Sequence, residues 1–414
     1  MINPNRFSQA GSLIGVVKGQ ARLRTRIVIS LLAVASLACV TLGGAPAAPT
    51  LPVPVQWRQT LPQGIQLVSP PALADGLLVY VEDAKTVVAR DAATGAQKWR
   101  HVLGQSSDLT RPLAVVGSRV FINETYVDGA GTAGARVLAL DLHTGQTGWE
   151  LSPSSAVTST FSAPVAGGGL LYFQAPAAPG NALLDAVEPD TGALRWQLPL
   201  TGTVLVSEAL IDNGLLFITK DHPTATDQPY AQDLLALDAS TGALRWSVPL
   251  SARTAPILAA GLGRVYAPTE DGWFWALDET SGAVVWKVHF RNGSPYNFNT
   301  SPVTLAGTTL YFGDTESDLF ALDAATGGQL WKVSLDAFGS QRPAESSGRL
   351  YLGLGNGLLV AIDAAHGSTL WTTRNPYHQS WPSGFTPPLN TQPVAGVGVL
   401  YYFNGSELVA LSIP

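Results

Sequence analysis

The chain has 414 residues, of which 46% are hydrophobic and 13% charged, ample for a large domain with several apolar layers. Its formal net charge is −6 at pH 7, from 24 Lys and Arg against 30 Asp and Glu; this argues against nucleic acid as a partner, because phosphate binding relies on clustered positive charge. One cysteine among 414 residues excludes a disulfide framework, and 42 Gly with 29 Pro suit many short strands joined by turns.

Residues 1–50 differ from the rest. Arg6, Lys18, Arg22, Arg24 and Arg26 are basic with no acid among them, and an apolar run from Ile27 to Leu42 precedes Gly43-Gly44-Ala45-Pro46-Ala47-Ala48. A basic stretch, a short apolar stretch and small residues read as a secretory signal or membrane-targeting segment, with cleavage expected near Ala47. A tether remains open as a second reading, either through an uncleaved segment 27–44 or through lipid on Cys39, which follows Ser36-Leu37-Ala38. Without its five leader cations the remainder carries 19 Lys and Arg against 30 Asp and Glu, a net charge of −11. Strong adhesion to anionic lipid is not expected of it.

From residue 51 a repeat takes over. Val55-Gln56-Trp57-Arg58 reads as a strand. Seven copies of an acid–turn–Gly–strand unit follow: Asp91…Gly95…Trp99, Asp141…Gly145…Trp149, Glu188…Gly192…Trp196, Asp238…Gly242…Trp246, Asp278…Gly282…Trp286, Asp323…Gly327…Trp331 and Asp363…Gly367…Trp371. An apolar strand such as Leu319-Phe320-Ala321-Leu322 leads into each turn. The Asp side chain is expected to accept backbone N–H groups in the turn, and the Gly to supply positive φ. The Trp is expected to fill the gap between neighbouring sheets, with a partner for its indole N–H. Trp57, Trp99, Trp149, Trp196, Trp246, Trp286, Trp331 and Trp371 are therefore read as structural. Glu188, Ser281 and His366 depart from the commonest turn residues, changes that a surface turn tolerates.

Each unit opens with a small residue and usually Pro, then Gly, then an apolar strand with an aromatic, as in Pro164…Tyr172-Phe173, Pro302…Tyr311-Phe312 and Pro393…Tyr401-Tyr402. Eight openings are present; the one at Glu208-Ala209 lacks the Pro. The last strand, Leu408-Val409-Ala410-Leu411-Ser412, has no Trp strand after it, whereas Trp57 has no apolar strand before it. Pairing the two closes a ring without a free edge there. A period of this length predicts stacked sheet units: an all-β, eight-bladed β-propeller of four-stranded antiparallel blades over 51–414, closed by the N- and C-terminal strands and monomeric.

The cleanest copy, Ala236-Leu237-Asp238-Ala239-Ser240-Thr241-Gly242-Ala243-Leu244-Arg245-Trp246, resembles the quinoprotein-like (PQQ-like) propeller repeat. That family has an enzymatic branch, alcohol and glucose dehydrogenases that use pyrroloquinoline quinone and calcium, and a non-enzymatic BamB-like branch associated with outer-membrane protein assembly. The first branch implies a Glu, an Asn and an Asp around calcium with a further Asp as base, and in many members adjacent cysteines. Cys-Cys does not occur here, and Glu208 is the one acid at a blade opening without a matching Asn or Asp. The BamB-like branch fits length, blade number and export signal.

The regular turns keep one face of such a ring short. Insertions at 125–134, 175–181, 220–232, 290–300 and 373–390 fall on the other, where binding usually lives. They carry Tyr126, Tyr230, Phe290, Arg291, Tyr296, Phe298, Tyr377, Trp381 and Phe385, residue types enriched at protein interaction hot spots. The competing reading packs these aromatics onto the ring. No metal-ligand spacing, nucleophile elbow or phosphate loop stands out. The expectation is an exported, non-enzymatic scaffold binding protein or peptide in the periplasm or cell envelope, with no cofactor. The alternatives are a dehydrogenase using pyrroloquinoline quinone and calcium, or an envelope ligand-sensing module.

Overall fold

The computed structural model describes residues 53–61, 70–82, 85–103, 106–108, 113–127, 133–152, 164–176, 181–201, 209–221, 232–254, 258–290, 301–337, 341–354, 358–373, 392–404 and 407–414. The leader, Cys39 and the run 27–44 lie outside these residues.

Eight antiparallel sheets form the ring, as the repeat predicts. In chain order they are blades 1 (72–102), 2 (106–151), 3 (165–201), 4 (210–250), 5 (259–289), 6 (304–334), 7 (344–372) and 8 (394–412 with 55–60). Blade 5 is typical: Ala259–Gly261, Arg264–Pro268, Trp273–Asp278 and Val284–His289 pair in sequence from the inside outwards. Blade 2 has one addition, Ser106–Asp108, which pairs with the far end of Arg119–Val127. Each innermost strand contacts that of the next blade, and the series returns from Val394–Gly396 to Ala72–Ala74.

Closure is as the split repeat predicts. Val55–Thr60 pairs with Glu407–Ser412, placing Trp57 opposite Ala410 and Arg58 opposite Val409. The second strand of blade 1, Leu77–Glu82, is buried at every position, whereas the outermost strand of blade 8 alternates in burial. Middle strands have a neighbouring blade on both faces and so read as continuous apolar runs; outer strands reach solvent. The core is a set of inter-blade layers, such as Phe274, Trp286, Phe312 and Phe320 between blades 5 and 6.

Two turns of each blade share one face. The turn between its first two strands bonds the turn between its last two, as in Ala92 N–H to Gly76 O (2.8 Å) and Glu279 N–H to Gly263 O (3.1 Å). The first kind is a two-residue turn such as Asn213-Gly214, with φ of 46° and 76°, the primed geometry that matches strand twist. In the outermost strands a bulge falls just before the repeat Trp in all eight blades, with Gln56, Lys98, Gly148, Arg195, Arg245, Val285, Leu330 and Leu370 as the extra residues. A bulge breaks the pairing of an edge strand and re-aims one side chain. We call this side the turn face and the opposite one the loop face.

Candidate functional site

On the turn face the repeat residues hold the ring together. In blade 5 the Asp278 carboxylate accepts the N–H groups of Thr280 (3.1 Å) and Ser281 (2.9 Å) and their hydroxyls at 2.7 and 2.8 Å. The Thr280 hydrogen bond, followed by that of Ser281, holds this carboxyl down at about 2, since a carboxylate that accepts several donors favours its charged form. His366 takes the Thr place in blade 7, its Nδ1 lying 2.9 Å from Asp363. Gly282 has φ of 71°, and a Cβ there would sit 2.8 Å from the Trp246 ring. Each Gly therefore serves both the turn and the close approach of an indole.

The indole N–H groups find the partners expected of them at seven junctions. Trp57, Trp99 and Trp149 donate to the carbonyls of Ala92 (2.9 Å), Leu142 (2.7 Å) and Pro189 (2.9 Å) of the next blade. Trp196, Trp246, Trp286 and Trp331 do the same to Ala239, Glu279, Ala324 and Ala364 at 2.9–3.0 Å. Trp371 makes no counterpart to any described residue; it keeps its ring contact with Tyr351, at 6.0 Å. Every recurrent Asp, Gly and Trp is spent on the scaffold, leaving no catalytic role for the repeat.

The loop face carries the insertions. Of the nine candidate residues, Phe290 is described in full. It is half-buried and packs edge-on against Phe274 (6.3 Å), Phe312 (5.7 Å) and Phe320 (5.6 Å), sealing the loop end of the layer between blades 5 and 6. Tyr126 lies in the second strand of blade 2, opposite Ser106 and Gly134. Tyr230, Arg291, Tyr296, Phe298, Tyr377, Trp381 and Phe385 lie outside the described residues, as does Glu208.

One aromatic cluster on this face went unread in the sequence. Trp273 and Trp275 alternate along the third strand of blade 5, and the Lys287 ammonium lies 4.1 and 3.5 Å from their ring centroids. His289 meets Trp273 edge-on at 4.7 Å. Burial pushes the Lys287 amine down, against the pull of Asp271. The signal was present as Trp-x-Trp outside the repeat register, the alternation that puts two side chains on one sheet face. The arrangement is a stacked cation–aromatic surface without an acid–base pair.

The described carboxylates do not fit a calcium–quinone centre. Asp314, Glu316 and Asp318 converge in the loop-face hairpin of blade 6. Asp314 already accepts the N–H groups of Glu316 (2.9 Å) and Asp318 (3.0 Å). Asp318 is bound by Lys332 (2.6 Å) and the Ser334 hydroxyl (2.6 Å). Calcium needs six to eight oxygens with free lone pairs around one point, and a lysine ammonium on one carboxylate opposes a second cation. Glu124, completely buried in blade 2, is paired with Arg136 at 2.7 Å.

Comparison with known proteins agrees with this geometry. The family model described as outer membrane protein assembly factor BamB matches residues 54–208, 180–337 and 316–382. The outer membrane protein assembly factor BamB of Yersinia pestis is 25% identical over 277 residues, 63% of this chain, and the match spans 64% of that relative's length. The crystal structure of BamB from Moraxella catarrhalis is 17% identical with a TM-score of 0.58, covering 87% of this chain and 98% of that one. A quinohemoprotein alcohol dehydrogenase from Pseudomonas putida is 13% identical with a TM-score of 0.62, covering 87% of this chain and 76% of that one. The two structural likenesses speak to the fold alone. The family model spans most of the ring, and the chain therefore belongs to the family of the outer membrane protein assembly factor BamB.

Proposed function

We propose that the ring is an exported, non-enzymatic scaffold that binds protein or peptide partners in the cell envelope through its loop face. The observation that carries this reading is the asymmetry of the two faces within a BamB-family chain. One face is used up by bonded turns of fixed length; the other gathers every long insertion and the aromatics within them. Variable loops on a rigid ring are the usual seat of recognition, and Trp, Tyr and Arg supply the anchors. The Trp273, Trp275 and Lys287 surface adds a rigid aromatic patch on the same face. No quinone or calcium takes part. The leader directs export, and a tether through Cys39 or segment 27–44 keeps the ring in the envelope.

Two experiments test the reading. Crosslinking in membrane extracts should capture a partner, and Trp381→Ala with Phe385→Ala should lose it; capture that survives both substitutions would move the contact off this face. Protein mixed with pyrroloquinoline quinone, calcium, an alcohol and an electron-accepting dye should leave the dye oxidised. Dye reduction would restore the dehydrogenase reading.

A further inference from the structure

The outermost bulge residue divides the ring into two arcs. In blades 1, 3 and 4 it is Lys98, Arg195 and Arg245, each turned back onto the acid of its own turn: Asp91 at 3.1 Å, Glu188, and Asp238 at 2.5 Å. In blades 5, 6 and 7 the same position holds Val285, Leu330 and Leu370, which are 45%, 55% and 43% exposed. These three blades are consecutive neighbours around the ring. A bulge at a sheet edge aims its side chain outward, so the apolar groups stand at repeat-equivalent places along the turn-face rim.

Two turns continue the arc. Leu262 in blade 5 takes the first place of a two-residue turn, with φ of 58°, where blades 1 and 4 use Asp75 and Asn213. It is 54% exposed. A branched side chain is unfavourable in that conformation, and an observed outlier of this kind is a legitimate pointer to function. Val397 holds the corresponding turn of blade 8 with its side chain entirely in solvent.

We infer that the turn-face rim of blades 5–7, with Leu262 and Val397 beside it, is a lipid-facing rim that seats the ring on a bilayer surface. Three arguments select a bilayer. The apolar groups are spaced one blade apart around a curve, which a fluid apolar surface accommodates and which does not form the contiguous patch a second folded copy needs. The strand Val55–Thr60 begins at the turn-face end of blade 8, next to blade 7, so the 52 residues before Val53 reach the ring on this side. No lysine or arginine occupies the bulge position of this arc, so seating rests on apolar insertion and needs no anionic lipid. The inference stands independently of the partner reading, and it leaves the loop face turned away from the lipid.

The test uses the full chain carrying Cys39→Ser and one added cysteine at a time: Leu330→Cys, Leu370→Cys, Arg195→Cys or Arg245→Cys. Each is labelled with an environment-sensitive fluorophore and mixed with phosphatidylcholine–phosphatidylethanolamine vesicles bearing an acyl-chain quencher. Labels at 330 and 370 should be quenched about threefold more than those at 195 and 245, because only a seated rim brings them to the acyl boundary. Leu330→Asp should then abolish quenching of the label at 370 while intrinsic Trp fluorescence stays unchanged. Equal quenching at all four positions, or none at any, overturns the inference. A fluorescence change at 330 that follows protein concentration without vesicles overturns it in favour of a second copy.

Discussion

The junction between blades 5 and 6 and the junction between blades 7 and 8 are built from the same strands and end differently. At the first, the Ala324 carbonyl accepts the Trp286 indole (3.0 Å), the Tyr266 hydroxyl (3.2 Å) and Arg264 (2.9 Å). Gly327 lies flat on the Trp286 ring. At the second, Tyr351 and Trp371 keep their mutual ring contact, but the buried Tyr351 hydroxyl has no hydrogen-bond partner. Blade 8 is also where the turn is divided between the chain ends. Its backbone ladder is nonetheless restored: Ser412 N–H bonds Pro54 O (2.8 Å), and Ile413 N–H bonds Gly398 O (3.0 Å). Val53 stands at the Gly position and packs in the same cluster as Trp371. Strand pairing alone thus recovers register. The continuous turn is what aims the carbonyl at the neighbouring blade.

The sharpest way to break this comparison is to remove the indole on each side. Trp286→Ala should cost about 3–5 kcal/mol, the usual range for deleting a buried aromatic. Trp371→Ala should cost about 1 kcal/mol less, because no hydrogen bond of ordinary net worth is lost with it. Urea unfolding monitored by far-UV circular dichroism measures both. Equal losses would mean that the carbonyl bond contributes nothing and that the seam is an ordinary junction.

The glycine comes next. Gly327 has φ of 73°, and a Cβ there would sit 2.7 Å from Trp286. Gly327→Ala combines a left-handed strain with a steric clash and should cost about 2–3 kcal/mol. Val53→Gly, which gives the seam the residue of the other turns, should leave stability within about 0.5 kcal/mol, as surface changes usually do. A destabilised Val53→Gly would show that Val53 is itself the cover for Trp371.

How much of this was legible in the sequence follows from what each feature depends on. The Asp–Gly–Trp spacing is local chemistry repeated seven times, so the blade count, the closing pair Trp57–Ala410 and the inter-blade place of each Trp could be read directly. The hydrogen-bond acceptor of each indole could not, because the residue after the turn acid offers only its carbonyl and carries Ala, Leu, Pro or Glu indifferently. The loop face was legible as a place, through insertion lengths. Its chemistry was less so: Phe290 read equally as anchor or packing, and its three ring contacts put it in the packing of blades 5 and 6. Trp273 and Trp275 were hidden by the stronger signal of the repeat Trp residues. The two arcs of bulge residues required the register itself, since Lys98 and Leu330 become equivalent only once the extra residue is seen.

Acid should separate the regular turns from the seam more gently. Hydrogen bonds from turn residues hold Asp91, Asp238, Asp278 and Asp323 below the ordinary carboxylate range, led by Thr94, Ser240, Thr280 and Thr326 respectively. A carboxyl depressed in the folded state contributes stability that is complete above its unfolded value and is lost as pH falls through its folded value. The window therefore runs from about pH 4, the unfolded value, down to the folded value of about 2 at Asp278. The melting temperature should drop across this range. Asp185 is raised by burial, with the Gln197 hydrogen bond opposing; its neutral form favours the fold, and it does not share the loss. Ser412 occupies the acid position in blade 8 and titrates nothing. Asp278→Ser, copying the seam, should lower stability at pH 7 and flatten its fall towards pH 2. An unchanged slope would show that the turn acids are not what acid attacks.

The smallest effect is the most diagnostic, because its sign should differ between the two regions. Tyr311 and Tyr351 occupy the same place in adjacent blades, each stacked on the Trp of its own blade at 5.8 and 6.0 Å. Tyr311 donates to the Ala364 carbonyl at 3.1 Å; the Tyr351 hydroxyl is buried with no acceptor. Deleting a satisfied buried hydroxyl strands its acceptor and typically costs about 1 kcal/mol, whereas deleting an unsatisfied one removes a desolvation penalty. Tyr311→Phe should therefore destabilise the ring, and Tyr351→Phe should leave it unchanged or raise its stability by up to about 1 kcal/mol. Both substitutions keep the aromatic ring and its packing, so the difference between them reports the carbonyl alone. Matched losses at the two sites would mean that Ile413 or a solvent molecule serves Tyr351 in solution, and that the seam is bonded as completely as the junctions it interrupts.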